Sequence, residues 1–516
     1  MAQKRRECFM DMITRKGQGW LFATAFAAIT ATSFCFILRA LVIDNWGVDF
    51  ALTETQKGEL LGVGLWPFSI TIVLISLFID RIGFRVTLWF AAICHIVGLG
   101  LLFTATGYWS LYAGTFIMAL GNGAVEAAAN PLIATLFAHD KSKWLNRLHA
   151  AWPGGMILGG LLAMGLDSLG GFAMDGSWRV KVGLMIIPVL VYTVLLIGRK
   201  FPVSERVASG VSYRTMLGEA GFISAFILAA LIMLEVGRVF ALSPVMSFGA
   251  AAVLALIYAF FARSPGRPLF ILLVLVMMPL AVTELSTDSW ISSLMTPEMN
   301  KLGLAAGWVL IYTSALVFVI RIFAGTLIKW LNPLGVLAMA SALAAAGLFL
   351  MSGATGLAIL AAATFYGIGK SFFWGTALGV ASEQFPKGGA VTLNMLAGGG
   401  MLAAGIVGSV LLGAAQDNST QRGLRLHDAT HQTTLSEQYL TEKVSVFGRY
   451  KALDEAKVAG ASDADKAVLE GLSGSAKKDA LKEVALLPVI TCLIFLGLIL
   501  WFRRRGGYKP VVIGEH

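Results

Sequence analysis

Residues 76–86 read SLFIDRIGFRV, and Asp80, Arg81 and Arg85 within them are charged. An apolar run lies on each side, near 58–79 and near 86–105. Each run is close to the 20 or so residues that a helix needs to cross a hydrocarbon core of roughly 30 Å. The charged stretch is therefore a short turn between two membrane spans.

The pattern recurs along almost the whole chain. Of its 516 residues, 57% are hydrophobic and 14% charged, against roughly 25% charged in a soluble globular protein. Spans are expected near 20–43, 58–79, 86–105, 108–137, 149–169 and 180–198, then 221–240 and 243–262, then 268–293, 305–330, 335–353, 357–381, 389–414 and 484–503. This predicts an all-α integral membrane protein with 14 transmembrane helices. They fall into a six-helix bundle over 1–198, a linker with two additional helices over 199–267, and a second six-helix bundle over 268–516. The 57 glycines let such helices approach closely. A polar insertion at about 415–482 reads as two or three short amphipathic helices outside the membrane.

Lysine and arginine collect in alternate loops: Lys4, Arg5, Arg6, Arg15 and Lys16, then Arg81 and Arg85, then Lys141, Lys143 and Arg147, then Arg199, Lys200, Arg206 and Arg214. The loops DNWGVDFALTETQKG and GGFAMDGS are poor in cations. By the positive-inside rule both termini are expected in the cytoplasm, with the chain in a cell membrane of the bacterial inner-membrane kind. The basic head leads into the first span without a small-residue cleavage site, so that span is expected to remain. The net charge of +10 is accounted for by these loops, and no nucleic acid partner is expected.

No cofactor or metal is expected either. Cys8, Cys35, Cys94 and Cys492 show no paired spacing, and the six histidines read as scattered. GIGKSFFW at 367–374 has the wrong glycine spacing for a phosphate loop and lies inside a span, so an ATP-driven pump is not expected.

Two signals occur twice. Gly121 precedes Phe137 by sixteen residues, as Gly369 precedes Phe385, and Leu145-Asn146 then matches Leu393-Asn394. SLFIDRIGFRV has a counterpart in GTLIKWLNPLGV, residues 325–336. Two matches in register indicate a parallel repeat of six helices.

IDRIGFR, residues 79–85, resembles the loop signature of the major facilitator superfamily: Asp80, Arg81, Gly83 and Arg85 match, while Ser76 stands where a leading glycine is usual. GNGAVEAAANP and LNRLHAAWPGG are similar to the fourth and fifth helices of its fucose-galactose-hexose type sugar:proton symporters. That resemblance implies a secondary transporter and a proton-coupling role for Glu126. It also implies that Asp80, Arg81, Gly83 and Arg85 act in gating. Those symporters carry an acid in the first helix where this chain has Arg39, and superfamily members with anionic substrates often use an arginine there.

The intramembrane charges give the candidate site, since each costs at least about 2.5–3.5 kcal/mol at the bilayer centre unless it faces a cavity or a partner. Asn122, Glu126 and Asn130 share one helix face, with Thr115 two turns earlier. Tyr366, Lys370 and Trp374 form the matching face of the second half, where Trp374 is placed to stack on a sugar ring and Lys370 to neutralise a carboxylate. Arg39, near the outer end of its span, is expected either to snorkel to the interface or to face the cavity, where it would bind an anionic substrate or pair with Glu284 or Asp288, and Arg321 to complete the network. The expected function is proton-coupled alternating access for a small polar solute, first a neutral sugar. The alternatives are an organic or phosphorylated anion bound through Arg39 and Lys370, and a transporter-like receptor.

Overall fold

The computed structural model describes residues 15–50, 52, 60–168, 177–240, 242–303, 307–445, 448–454, 457–458 and 460–513. The basic head up to Arg6 and the cation-poor loop GGFAMDGS lie largely outside these, as does most of ALTETQKG. The first half contributes α1 (Arg15–Asp49), α2 (Trp66–Phe103), α3 (Tyr108–Leu136), α4 (Lys141–His149), α5 (Ala151–Ser168), α6 (Ser177–Gly183) and α7 (Ile186–Leu196). A short α8 (Glu205–Ala208) precedes α9 (Tyr213–Val239) and α10 (Pro244–Ala262). The second half runs through α11 (Pro268–Ala281), α12 (Thr287–Lys301), α13 (Gly307–Gly353), α14 (Ala358–Lys370), α15 (Phe373–Gln384), α16 (Gly389–Leu402), α17 (Ser409–His431), α18 (Leu435–Tyr439) and α19 (Asp463–Arg503).

Ten helices among the described residues are long and apolar enough to cross a membrane, against fourteen expected spans. Three of the four missing spans reflect how helices join, and the fourth, expected near 149–169, is α5 (Ala151–Ser168), which is not among the ten. The runs on either side of the opening stretch merge into α2, which breaks only at Gly83 (φ 82°, ψ 155°). The expected pair 305–330 and 335–353 merges into α13, broken at Asn332 (φ 55°, ψ 167°). The span expected near 357–381 is divided between α14 and α15. Side chains such as Val245 (82% exposed) and Trp330 (87% exposed) cover the outer surface with apolar area, as contact with lipid tails requires.

The repeat is visible at the backbone. Gly83 and Asn332 break their helices at corresponding places with almost the same φ and ψ. A Cβ on Gly121 would meet the Ala91 carbonyl oxygen at 3.0 Å, and one on Gly369 the Ala340 carbonyl oxygen at 2.7 Å, so each glycine lets its helix lie against the preceding one. The ends of α3 and α15 also coincide, with Phe137 at φ −121°, ψ 52° and Phe385 at φ −127°, ψ 52°.

Two π-helical turns, Val282–Ser286 after α11 and Ala403–Gly408 after α16, face each other in the second half. Ser286 Oγ donates to the Ala404 carbonyl at 3.0 Å. The first of these turns carries Glu284, and π-turns concentrate at functional sites because the extra residue re-aims a side chain.

The insertion departs from its expected all-helical form. α17 and α19 extend out of the apolar region and carry an antiparallel hairpin, β1 (Leu440–Ser445) paired with β2 (Gly448–Leu453), Leu440 opposite Leu453. Thr441, Val444 and Tyr450 in LTEKVS and GRYKAL are residue types that favour a strand over a helix. Leu424, Leu435, Tyr439, Leu440, Ala461 and Leu469 form its small core. Glu298 of α12 ties it down by accepting from Lys478 of α19 at 3.0 Å, while also accepting from Lys301 on its own helix at 3.0 Å.

Candidate functional site

α3 puts Glu126 at the centre of the molecule, 3% exposed. Its Oε2 accepts from Asn130 Nδ2 at 2.8 Å, one turn along the same helix. Asn130 Oδ1 lies 2.9 Å from His149 Nε2, at the end of α4. The amide O must then accept from a protonated Nε2, because its N is committed to the carboxylate. Glu126 and His149 line a small cavity with Trp152 from α5, Glu284 from the first π-turn, Arg321 from α13 and Trp374 from α15. Its volume is about 20 Å³, room for one water-sized group.

Arg321 holds this centre together. Nη2 donates to Glu284 Oε1 at 2.5 Å, Nε to the Ser371 carbonyl at 2.8 Å, and Nη1 to the His149 carbonyl at 2.9 Å. The last bond crosses from the second half of the chain to the first. Beside it, Lys370 Nζ reaches both oxygens of Asp288, at 2.5 and 2.7 Å, and sits 4.9 Å from the Tyr366 ring centre. Tyr366 donates its hydroxyl to the Thr283 carbonyl at 2.9 Å and approaches Asp288 Oδ1 at 3.2 Å. Glu284 is thereby paired with Arg321, and Asp288 with Lys370.

These pairings correct three expectations. Arg39 pairs with neither Glu284 nor Asp288, because nearer cations hold both. Its guanidinium lies on the bare backbone of Gly64, where a Cβ would stand 1.7 Å from Nη1. The polar stripe on α3 divides: Glu126 faces the cavity, whereas Asn122 Oδ1 turns to His95 Nε2 at 2.9 Å, and His95 Nδ1 lies 2.9 Å from the Tyr192 hydroxyl. Thr115 Oγ1 is buried without a partner among the described residues. Tyr366, Lys370 and Trp374 do not share one helix face, because α14 ends at Lys370 and α15 begins at Phe373. Trp374 lines the cavity and Lys370 stays on the Asp288 side.

The face that carries the chain ends is closed by polar contacts. Asp80 accepts from Ser204 Oγ, Arg206 Nε and Arg206 Nη2, each at 2.7 Å. Lys141 pairs with Glu205 at 2.7 Å and donates to the Ser382 carbonyl at 3.2 Å. Ser142 Oγ donates to Glu383, and Asn146 Nδ2 to Thr376 Oγ1 at 3.0 Å. Asn394, the repeat partner of Asn146, donates to the Ala127 carbonyl at 3.0 Å, so each half sends its asparagine to the other. Of the remaining loop residues, exposed Arg81 lies 5.4 Å from the Tyr213 ring centre, Arg85 is exposed, and Gly83 supplies the break.

The sequence profile of the Major Facilitator Superfamily matches residues 20–409. The chain belongs to this superfamily. No curated protein matches it by sequence. Among solved structures, the proton:xylose symporter XylE bound to 6-bromo-6-deoxy-D-glucose is similar at TM-score 0.60 and 15% identity, over 93% of this chain and 96% of that one. FucP in the outward conformation is similar at TM-score 0.56 and 15% identity, over 92% and 98%. The human organic anion transporter MFSD10 is similar at TM-score 0.58 and 12% identity, over 93% and 99%. At these identities the likenesses establish the fold. Superfamily membership makes the chain an integral membrane transporter of small molecules and not an enzyme.

Within this superfamily fold, several site residues escaped the sequence reading. His149, His95, Tyr192, Ser142, Asn146, Ser204, Glu205 and Glu383 all take part in buried contacts. The detectable signal was the repeat: Asn146 and Asn394 stand at matched positions, and a polar residue repeated at the bundle interface marks a contact.

Proposed function

We propose that the chain is a proton-coupled transporter of a neutral sugar. Two six-helix bundles, residues 1–198 and 268–516, rock about the central cavity, with 199–267 and its two extra helices between them and fourteen spans in all. The face bearing the chain ends is taken as cytoplasmic. The observation that carries the reading is a charge balance. In the cavity Glu284 is neutralised by Arg321 and, next to it, Asp288 by Lys370, while Glu126 has no cation within salt-bridge distance among the described residues. A carboxylate so placed, held only by the neutral Asn130 amide, is neutralised by taking up a proton. The paired acids have no such need, and Glu126 becomes the coupling group.

Trp374 and Trp152 bring aromatic surface to the same cavity as Glu126 and His149, a mixture suited to a sugar's apolar face and hydroxyls. The cavity is too small for a sugar, so the bundles must part on the side away from the chain ends to admit one. That two of the similar folds, XylE and FucP, belong to sugar:proton symporters favours the same substrate class.

The first test is thermal unfolding of the purified protein against neutral sugars, sugar phosphates and carboxylates. A ligand at 100 times its Kd stabilises by about 2.7 kcal/mol if it binds the folded form alone. In proteoliposomes, Glu126→Gln should lose accumulation driven by a proton gradient and retain substrate exchange. Undiminished accumulation refutes the coupling role.

One observation favours the anion reading. Arg39 is 5% exposed, its Nε has no partner, and no described carboxylate pairs with it. Stabilisation by anions alone, abolished in Arg39→Gln, would move the substrate site there. Lys370 takes no part in that reading, being held by Asp288.

A further inference from the structure

We infer that the groove between α17 and α19, at the foot of the insertion, holds the headgroup of a phospholipid with a primary amine, its phosphate on Arg422 and Lys482 and its ammonium on Asp479 and Glu483. The groove has a volume of about 410 Å³, and these four side chains line it with Ser419. They are two cations and two carboxylates, so a headgroup with one charge of each sign leaves the groove neutral.

The level of the groove in the bilayer follows from the sequence of α19. Residues 484–502 carry no charge, and 19 residues rising 1.5 Å each span about 28 Å, the thickness of a hydrocarbon core. Glu483 and Arg503 therefore stand at its two edges. Headgroup layers add about 5–8 Å on each side, and the turn from Asp479 to Glu483 rises about 6 Å. The charged part of the groove thus lies in the headgroup layer. On α19 the groove face, with Asp479, Lys482 and Glu483, continues at steps of three and four residues through Leu486, Ile490, Leu493 and Gly497, all exposed. A lipid whose headgroup fills the groove finds an apolar track for its chains directly beneath it.

The existing ion pairs leave these side chains free to change partners. Arg422 meets Glu483 and Lys482 meets Asp479 through single contacts of 3.4 Å, with the four side chains 41–69% exposed. Exposed pairs of this length contribute little. A phosphodiester offers the arginine fork two oxygens and the lysine a charge-assisted bond, both shorter than the present contacts. Asp479 is held in place by the Ser419 hydroxyl, which donates to it at 2.8 Å. Once the cations turn to the phosphate, both carboxylates are free to accept from an ammonium. The charges thus exchange partners one for one, and none is left unpaired. An anionic headgroup without an amine would satisfy the cations and strand both carboxylates. A choline headgroup balances the charge but has no N–H to donate. The groove therefore selects a primary amine, as in phosphatidylethanolamine.

The test is native mass spectrometry of the full-length protein, delipidated in detergent and titrated with dioleoyl phosphatidylethanolamine, phosphatidylcholine or phosphatidylglycerol. The expected result is one phosphatidylethanolamine per chain, bound about 10-fold more tightly than either other lipid, as one hydrogen bond to a charged group provides. Arg422→Gln and Glu483→Gln should each weaken that binding about 10-fold. Both side chains are exposed, so the thermal midpoint of either variant should stay where it is. Glycerophosphoethanolamine, the same headgroup without acyl chains, should not displace the lipid at equal concentration. Displacement would make the occupant a soluble phosphate compound and overturn the assignment to a lipid. Equal binding of the three lipids, preference for phosphatidylglycerol, or phosphatidylethanolamine binding that survives both variants overturns it as well. None of these readouts depends on transport.

Discussion

Arg321 is the residue on which the centre depends. Its three bonds end on Glu284, on the Ser371 carbonyl and on the His149 carbonyl of the other half. Replacing it by Met leaves Glu284 buried and unpaired, a change that costs about 3–5 kcal/mol. Arg321→Met should therefore lower the thermal midpoint sharply and abolish transport. Adding Glu284→Gln removes the stranded charge and should restore most of the stability without restoring transport. If the double variant is no more stable than the single one, the ion pair is not what Arg321 supplies. The individual charges were legible in the sequence, because an ion in an apolar run stands out by its cost alone. Their partners were not: Arg321 lies 37 residues from Glu284, Lys370 82 from Asp288, and His149 19 from Asn130. Spacing within one helix says nothing about such pairs. A carboxylate partner was one of the alternatives open for Arg39 for that reason, when Arg321 and Lys370 already held both candidates.

At the scale of elements, apolar run length placed the helices well and their joints poorly. A run of hydrophobic residues marks where a helix is stable, but whether two runs stay continuous depends on one residue's backbone. Gly83 and Asn332 are those residues, both at positive φ with ψ near 160°, a region nearly closed to residues with a Cβ. Gly83→Ala should cost about 1–3 kcal/mol in thermal or denaturant unfolding, although its Cβ would touch nothing within 4 Å. Asn332→Gly, which frees the other break from the same strain, should be neutral or stabilising. Equal losses from both would mean that packing, not backbone strain, sets these turns. The β1–β2 hairpin was missed for a related reason. Its strands are six residues each, too short for periodicity to outweigh the amphipathic reading of the surrounding helices.

Across the whole molecule, the closed face turns on one carboxylate. Glu383 accepts from Ser142 Oγ and from its backbone N–H at 3.2 Å, which joins the second half to the first. Its other oxygen accepts from Tyr508 Oη at 2.7 Å, and its carbonyl from the Val511 N–H at 2.8 Å. Gln384 Nε2 donates to the Lys509 carbonyl at 2.9 Å, so the end of the chain straps α15 just where it meets α4. Burial, and then the Glu383 carboxylate, push the Tyr508 phenol well above its usual range, and its proton remains available to donate. A hydrogen bond to a charged group contributes about 1.5–3 kcal/mol. Losing the Ser142–Glu383 contact should therefore raise the open-to-closed ratio of this face roughly 10- to 150-fold, at 1.4 kcal/mol per tenfold change. A cysteine placed by Ala134→Cys, in the cleft between Lys141, Glu205 and Leu393, reports that opening by its labelling rate with a membrane-impermeant maleimide, with Cys8, Cys35, Cys94 and Cys492 replaced beforehand. Glu383→Ala should speed labelling by that order. Removing residues 507–516 leaves Ser142–Glu383 intact but frees the carboxylate to turn, and should act in the same direction by a smaller factor. Unchanged labelling after truncation would show that Glu383 holds its orientation without the tail, and that closure belongs to the helices alone.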